Sequence, residues 1–176
     1  MDLRADAHVP FPRGMVFAAY RDDMPHVLRY LPNVRSIEIT SRRQEGPRVD
    51  VVNVWHGGGQ IPGALRAVLN ESMLQWTDHA TWDASSFRCE WRTQTHAFPT
   101  AVTCSGCTVF MEDGPRASLL EIRGELTVDA KKIRGVPSFV AANLSRLIED
   151  FLVANIRANF AETARGLAKH LTDRAG

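Results

Sequence analysis

Long apolar runs are missing from this chain: nowhere do about 18 apolar residues follow one another, so no membrane-spanning helix is expected. A surplus of one charge is missing too, since 21 Lys and Arg stand against 20 Asp and Glu, a net charge of +1. Nucleic acids and anionic surfaces draw proteins through a basic field, and without one neither is expected as a partner. Cysteine is scarce. Cys89, Cys104 and Cys107 are odd in number and fall in strand-like sequence, which argues against a disulfide framework. The first residues, Met-Asp-Leu-Arg-Ala-Asp, carry acids where a secretory signal needs an apolar stretch, so a soluble cytoplasmic protein is expected.

Signatures of metal and nucleotide binding are absent as well. The six His residues are scattered, with no His-x-x-x-His spacing. Gly57-Gly58-Gly59 lacks the Lys-Ser/Thr of a phosphate loop. Cys104 and Cys107 have the spacing of a CxxC pair, but three steps along a strand turn the sulfurs to opposite faces unless Gly106 forms a bulge. Neither a metal nor a cofactor is expected.

What is present is an ordered change of period along 176 residues, 44% of them hydrophobic, enough for one domain over 1–176 with one core. Residues 2–9 alternate, with Leu3, Ala5, Ala7 and Val9 on one face, and Pro10 and Pro12 end the segment. Helical spacing follows over Arg13 to Tyr20 and Asp22 to Tyr30, broken by Leu31-Pro32-Asn33. From Val34 the period is two. Turn residues divide the region into strands near 34–44, 47–56, 72–83, 86–97, 101–113 and 116–129, and short connections make a meander the simplest topology. Residues 57–71 are too long for a hairpin turn and read either as a lid at the rim of the sheet or as a connector with a short helical turn.

A long amphipathic helix from about Pro137 to Thr172 closes the chain. Its apolar stripe moves: Val140, Leu144, Leu147, Ile148 and Phe151 lie on one side, whereas Ile156, Phe160 and Leu167 lie roughly 150° away at about 100° per residue. The reading favoured here gives the two halves different partners. The second half packs on the sheet, and the first faces a cavity, a lid or a second copy of the chain, making a homodimer through that half a further expectation.

The order of these elements, a strand, two short helices, a six-stranded meander and a long terminal helix, resembles the START-like (SRPBCC) superfamily. That group includes the birch-pollen-allergen, polyketide cyclase and coenzyme-Q-binding types. The segment Phe11-Pro12-Arg13-Gly14-Met15-Val16-Phe17-Ala18-Ala19-Tyr20-Arg21-Asp22, then Tyr30-Leu31-Pro32-Asn33-Val34, is similar to that superfamily's opening, as is Trp76 after the insertion. The resemblance implies an α+β helix-grip fold, in which a curved antiparallel sheet of about seven strands wraps the terminal helix. It also implies a cavity for an apolar or amphipathic molecule such as a lipid, a quinone or a polyketide. Arg43-Gln44-Glu45-Gly46-Pro47 has a single Gly where plant members carry a glycine-rich loop, which sets a hormone-receptor analogy aside.

Alternation selects the wall of that cavity. Trp76, Trp82 and Asp78 share parity, as do Cys89, Trp91, Thr93 and Thr95, while Leu120 and Ile122 face inward on the last strand. With Leu147, Phe151 and Asn155 from the helix, the expected ligand contacts are Trp76, Trp91, Thr93, Leu120, Ile122, Leu147, Phe151 and Asn155. If its face is inward, Asp78 lies between two indoles with a raised pKa. Aspartate is rarely buried unpaired, however, which favours a solvated place near the sheet edge. His79 and His96 take the opposite parity and are most simply exposed. Asp78 and His96 are the candidates should the cavity do proton chemistry. Binding without catalysis is the first expectation, a polyketide cyclase or aromatase the second, and a protein-interaction or co-chaperone-like module the third.

Overall fold

The computed structural model describes residues 1–175. Strand β1 (Asp2–Val9) is followed by helices α1 (Arg13–Asp22) and α2 (Met24–Val27), the second continuing as a 3-10 turn over Leu28–Tyr30. Then come β2 (Val34–Glu45), β3 (Arg48–Gly57), β4 (Gln75–Asp83), β5 (Arg88–Thr95), β6 (Val102–Glu112), β7 (Ser118–Val128) and α3 (Ser138–Ala175). All seven strands form one antiparallel sheet in the order β1-β7-β6-β5-β4-β3-β2, so the meander is as expected and the first strand closes onto the last. This is the α+β helix-grip architecture.

Local chemistry explains the turns and the curvature. Glu45 pairs with Arg48 across a two-residue connection, and Gly46, at φ +58°, takes the first central position of a primed hairpin turn, which disfavours other residues. Two register shifts in β2, between Val34 and Ser36 and between Ile39 and Ser41, add bends to the strand at the free edge of the sheet. The opposite edge, β1, is not free, because α3 packs against it and against β7. Glu149 Oε1 accepts the N–H of Val128, Ser145 Oγ accepts that of Ala130, and Arg157 Nε donates to the carbonyl of Arg4.

One end of the grip is solid. Phe17 of α1 meets Trp82 and Phe110 edge to face at ring separations of 5.4 and 5.2 Å, and Tyr20 meets Trp82 at 5.4 Å. Val9, Val16 and Leu120 are fully buried at this end, Leu120 opposite Phe110. The C-terminal turns of α3 fasten to the short helices: a Cβ on Gly166 would lie 2.9 Å from Val27, and Asp23 Oδ2 lies 3.0 Å from His170 Nε2 and 2.5 Å from Arg174 Nη1.

The helix differs from its sequence reading in how it divides. The first turns leave Phe139, Val140 and Leu147 exposed, the middle stretch from Ile148 to Thr163 faces the interior, and the last turns pack on α1 and α2. The expected boundary near Asn155 therefore falls inside the interior-facing stretch. A stripe that rotates fits three successive partners as well as two. Residues 58–74 form a connector with 3-10 turns over Gly63–Leu65 and Glu71–Met73, anchored by buried Ile61, Leu65 and Leu69.

Candidate functional site

Between the inner face of the sheet and α3, which packs on β1 and β7 at one side, lies a cavity of about 290 Å³. The strand registers set its floor as transverse rows. Asn53, Asp78, Thr93, Cys104 and Leu126 lie side by side across β3 to β7, a polar row one side of which is flanked by Val51, Ala80 and Trp91 and the other by Trp55, Trp76 and Thr95. Trp55 and Trp76 pair across the strands with their indoles nearly parallel, 8° apart, at a centroid separation of 5.9 Å. The indole of Trp91 lies over Gly106 and Gly124, where a Cβ would come within 2.7 and 3.0 Å of it, and Nε1 donates to Thr108 Oγ1 at 3.2 Å.

The roof is one face of α3. Phe151, Asn155, Asn159 and Thr163 repeat every four residues along it, and Ile148, Leu152, Ile156 and Phe160 form the row beside them. Two of the polar side chains are turned back on their own helix, Asn155 Nδ2 donating to Phe151 O and Thr163 Oγ1 to Asn159 O, each at 2.8 Å. Tyr20 and Arg21 from α1, Ile37 and Ile39 from β2, and Leu69 and Met73 from the connector complete the wall.

Among the described residues that line the cavity, only Arg21 and Asp78 have side chains with a formal charge. Arg21 is spent on Asp22, with Nε donating to Oδ1 at 2.9 Å and Nη2 to Oδ2 at 2.7 Å. Asp78 accepts one hydrogen bond, from Thr93 Oγ1 at 3.2 Å. Burial pushes its pKa up to about 6, opposed by that bond. Burial also raises the Tyr20 phenol and the Cys89 thiol, and raises Cys104 to about 11, so these groups are neutral at pH 7. The carboxamide oxygen of Asn53 and the indole N–H of Trp55 are buried without a hydrogen-bond partner.

The structure brings Trp76, Trp91, Thr93, Ile122, Phe151 and Asn155 together on the cavity wall. It places Leu120 and Leu147 elsewhere: Leu120 is fully buried in the solid end, and Leu147 is 47% exposed on the outer side of α3, its neighbour Ile148 facing the cavity instead. Asp78 is not at a wet edge; it sits mid-strand in the polar row. His96 lies on the outer face, exposed, 2.9 Å from Thr77 Oγ1, and does not reach the cavity. Cys104 faces inward and Cys107 outward, as strand alternation requires. Among the described residues no group of three His, Cys, Asp or Glu side chains is placed to hold a metal ion. Sequence reasoning missed Asn159, Phe160 and Thr163, although the four-residue repeat from Phe151 leads to Asn159 and Thr163 directly.

No protein-family model matches the chain, and no curated protein is similar to it in sequence. Solved structures are similar in shape. A protein from Thermus thermophilus superposes with a TM-score of 0.69 at 16% identity, over 97% of this chain and 99% of that one. An aromatase/cyclase from Streptomyces sp. R1128 gives 0.68 at 13% identity, over 100% and 96%. A START superfamily protein from Mycobacterium smegmatis gives 0.56 at 11% identity, over 97% and 98%. The shared property is the architecture: this chain has the helix-grip fold of START-like proteins.

Proposed function

We propose that the chain binds a small molecule with a mostly apolar body inside the cavity between sheet and α3. The observation that carries this is the cavity itself, about 290 Å³ walled by indole, phenyl and aliphatic side chains with few polar groups among them. Small-molecule sites have that make-up, and a volume near the low end of the ~300–1,000 Å³ range favours a compact ring system, of quinone or polyketide type, over a long acyl chain. Trp76, Trp91, Thr93, Ile122, Phe151 and Asn155 are its contacts on the wall. The test is native mass spectrometry of the protein from its own host, with Ile122→Trp as a filled-cavity control. A bound mass present in the wild type and lost in the variant supports the reading; an empty wild type counts against it.

A second reading, proton chemistry of the cyclase kind, is favoured by one observation: Asp78 faces the cavity with a pKa raised to about 6, near the pH at which a general acid or base works. Asp78→Asn would then abolish turnover of a poly-ketone substrate while the fold is kept. The exposed Phe139, Val140 and Leu147 support a contact with a second copy of the chain through the start of α3. Three free cysteines fit a reducing compartment such as the cytoplasm.

A further inference from the structure

Among the described residues Asp78 is an acid without a cation. Its neighbours across the strands, Asn53 on β3 and Thr93 on β5, are neutral. The titratable groups near enough on other elements to feel its charge, Tyr20 of α1, Cys89 of β5 and Cys104 of β6, are neutral at pH 7 as well. The cavity's other charge, Arg21, is held by Asp22, which also takes Arg42 Nη2 at 2.7 Å. A carboxylate that faces an apolar cavity and is partly withdrawn from water with no opposite charge is costly, and removal of that cost is what a ligand can offer. The faces around it are aromatic, with Trp55 and Trp76 on one side of its row and Trp91 on the other. Such faces attract cations.

We propose that the ligand of this cavity carries a protonated amine on an aromatic or otherwise apolar body, with Asp78 as its counter-ion and the tryptophan faces as its walls. The inference rests on the reading of the cavity as a ligand site and narrows the class of molecule it takes. A hydroxyl would satisfy one lone pair of Asp78 but leave its charge uncompensated. A carboxylate ligand would set two anions in one apolar space, with Arg21 already committed elsewhere.

The experiment is a calorimetric titration of the full chain with three probes of one shape and three charges: 2-phenylethylamine, 2-phenylethanol and 3-phenylpropionate. At pH 7.5 the amine is expected to bind about tenfold tighter than the alcohol, and the carboxylate weakest. The amine's advantage shrinks as the pH falls below about 6, where Asp78 takes up a proton, and it disappears in Asp78→Asn. An alcohol that binds the wild type as tightly as the amine overturns the proposal, as does an amine preference that ignores pH, and both leave the ligand-binding reading intact. Binding of none of the three counts against that reading itself and takes this proposal with it. The pH series on the wild type decides the matter even where Asp78→Asn does not fold.

Discussion

The indole of Trp91 occupies the space in which Gly106 would carry a side chain: a Cβ built there lies 2.7 Å from the ring and 2.7 Å from the Cα of Gly124. Gly106 and Gly124 face each other across β6 and β7, and the missing side chains of both leave room for the indole to lie against the strands. Gly106→Ala is therefore expected to cost about 1–3 kcal/mol by forcing the strands or the indole aside, read as a lower urea midpoint. Gly14→Ala in α1, where nothing lies within 4 Å of the new Cβ, is expected to gain up to about 1 kcal/mol in the same assay.

Asp78 links stability to pH. Its folded-state pKa, about 6, is raised above the ordinary 3.8, so the folded form holds the proton more tightly than the unfolded chain. The stability tied to that proton is fully present below pH 3.8 and is lost as pH rises through 6. Asp78→Asn is expected to be more stable than the wild type at pH 7.5, by at most about 3 kcal/mol, with the difference closing toward pH 4. Urea titrations at both pH values check it, and a difference that grows toward acid would contradict it.

The C-terminal end of α3 hangs on Asp23. Asp23→Ala removes the partner of buried His170 and of Arg174 together, and is expected to cost about 1–2 kcal/mol, Arg174 being too exposed to add its full share. Since α2 begins at the next residue and its Met24 and Pro25 line the cavity, hydrogen exchange should quicken in α2 as well as in the last turns of α3.

Phe139 is 84% and Leu147 47% exposed on the first turns of α3. If a second copy covers them, Leu147→Glu leaves the fold unchanged by circular dichroism and shifts sedimentation velocity from dimer to monomer. A wild type that sediments as a monomer at high concentration removes the contact.

The strands were legible because alternation and turn residues state where each begins, although the sequence does not show which face of 47–56 and 101–113 points inward. Residues 2–9 needed only their period and two prolines. The parity of Trp76, Trp91 and Thr93 placed them on the cavity side without further information. Helix facing was less legible. One residue is about 100° of rotation, so Leu147 and Ile148 exchange roles with a small change in how the helix crosses the sheet. Asp78 was the hardest, since its surroundings depend on Asn53, Tyr20 and Thr93, residues from three other elements whose meeting no local pattern announces. Tyr20 and Arg21 entered the wall for the same reason, brought there by the packing of α1.

The bent edge strand β2 bears on a different matter, how the sheet avoids pairing edge to edge with another. A sheet that curls round a hollow without closing leaves one strand with unpaired backbone groups, an invitation for another chain to add on. Along this strand Glu38, Arg42, Arg43 and Glu45 stand in solvent, and its two irregularities spoil the straight ladder a newcomer would need. The strand that helps to shape the cavity is in this way also the one that discourages end-to-end polymerisation, and flattening or neutralising it would expose the protein to aggregation before it emptied the cavity.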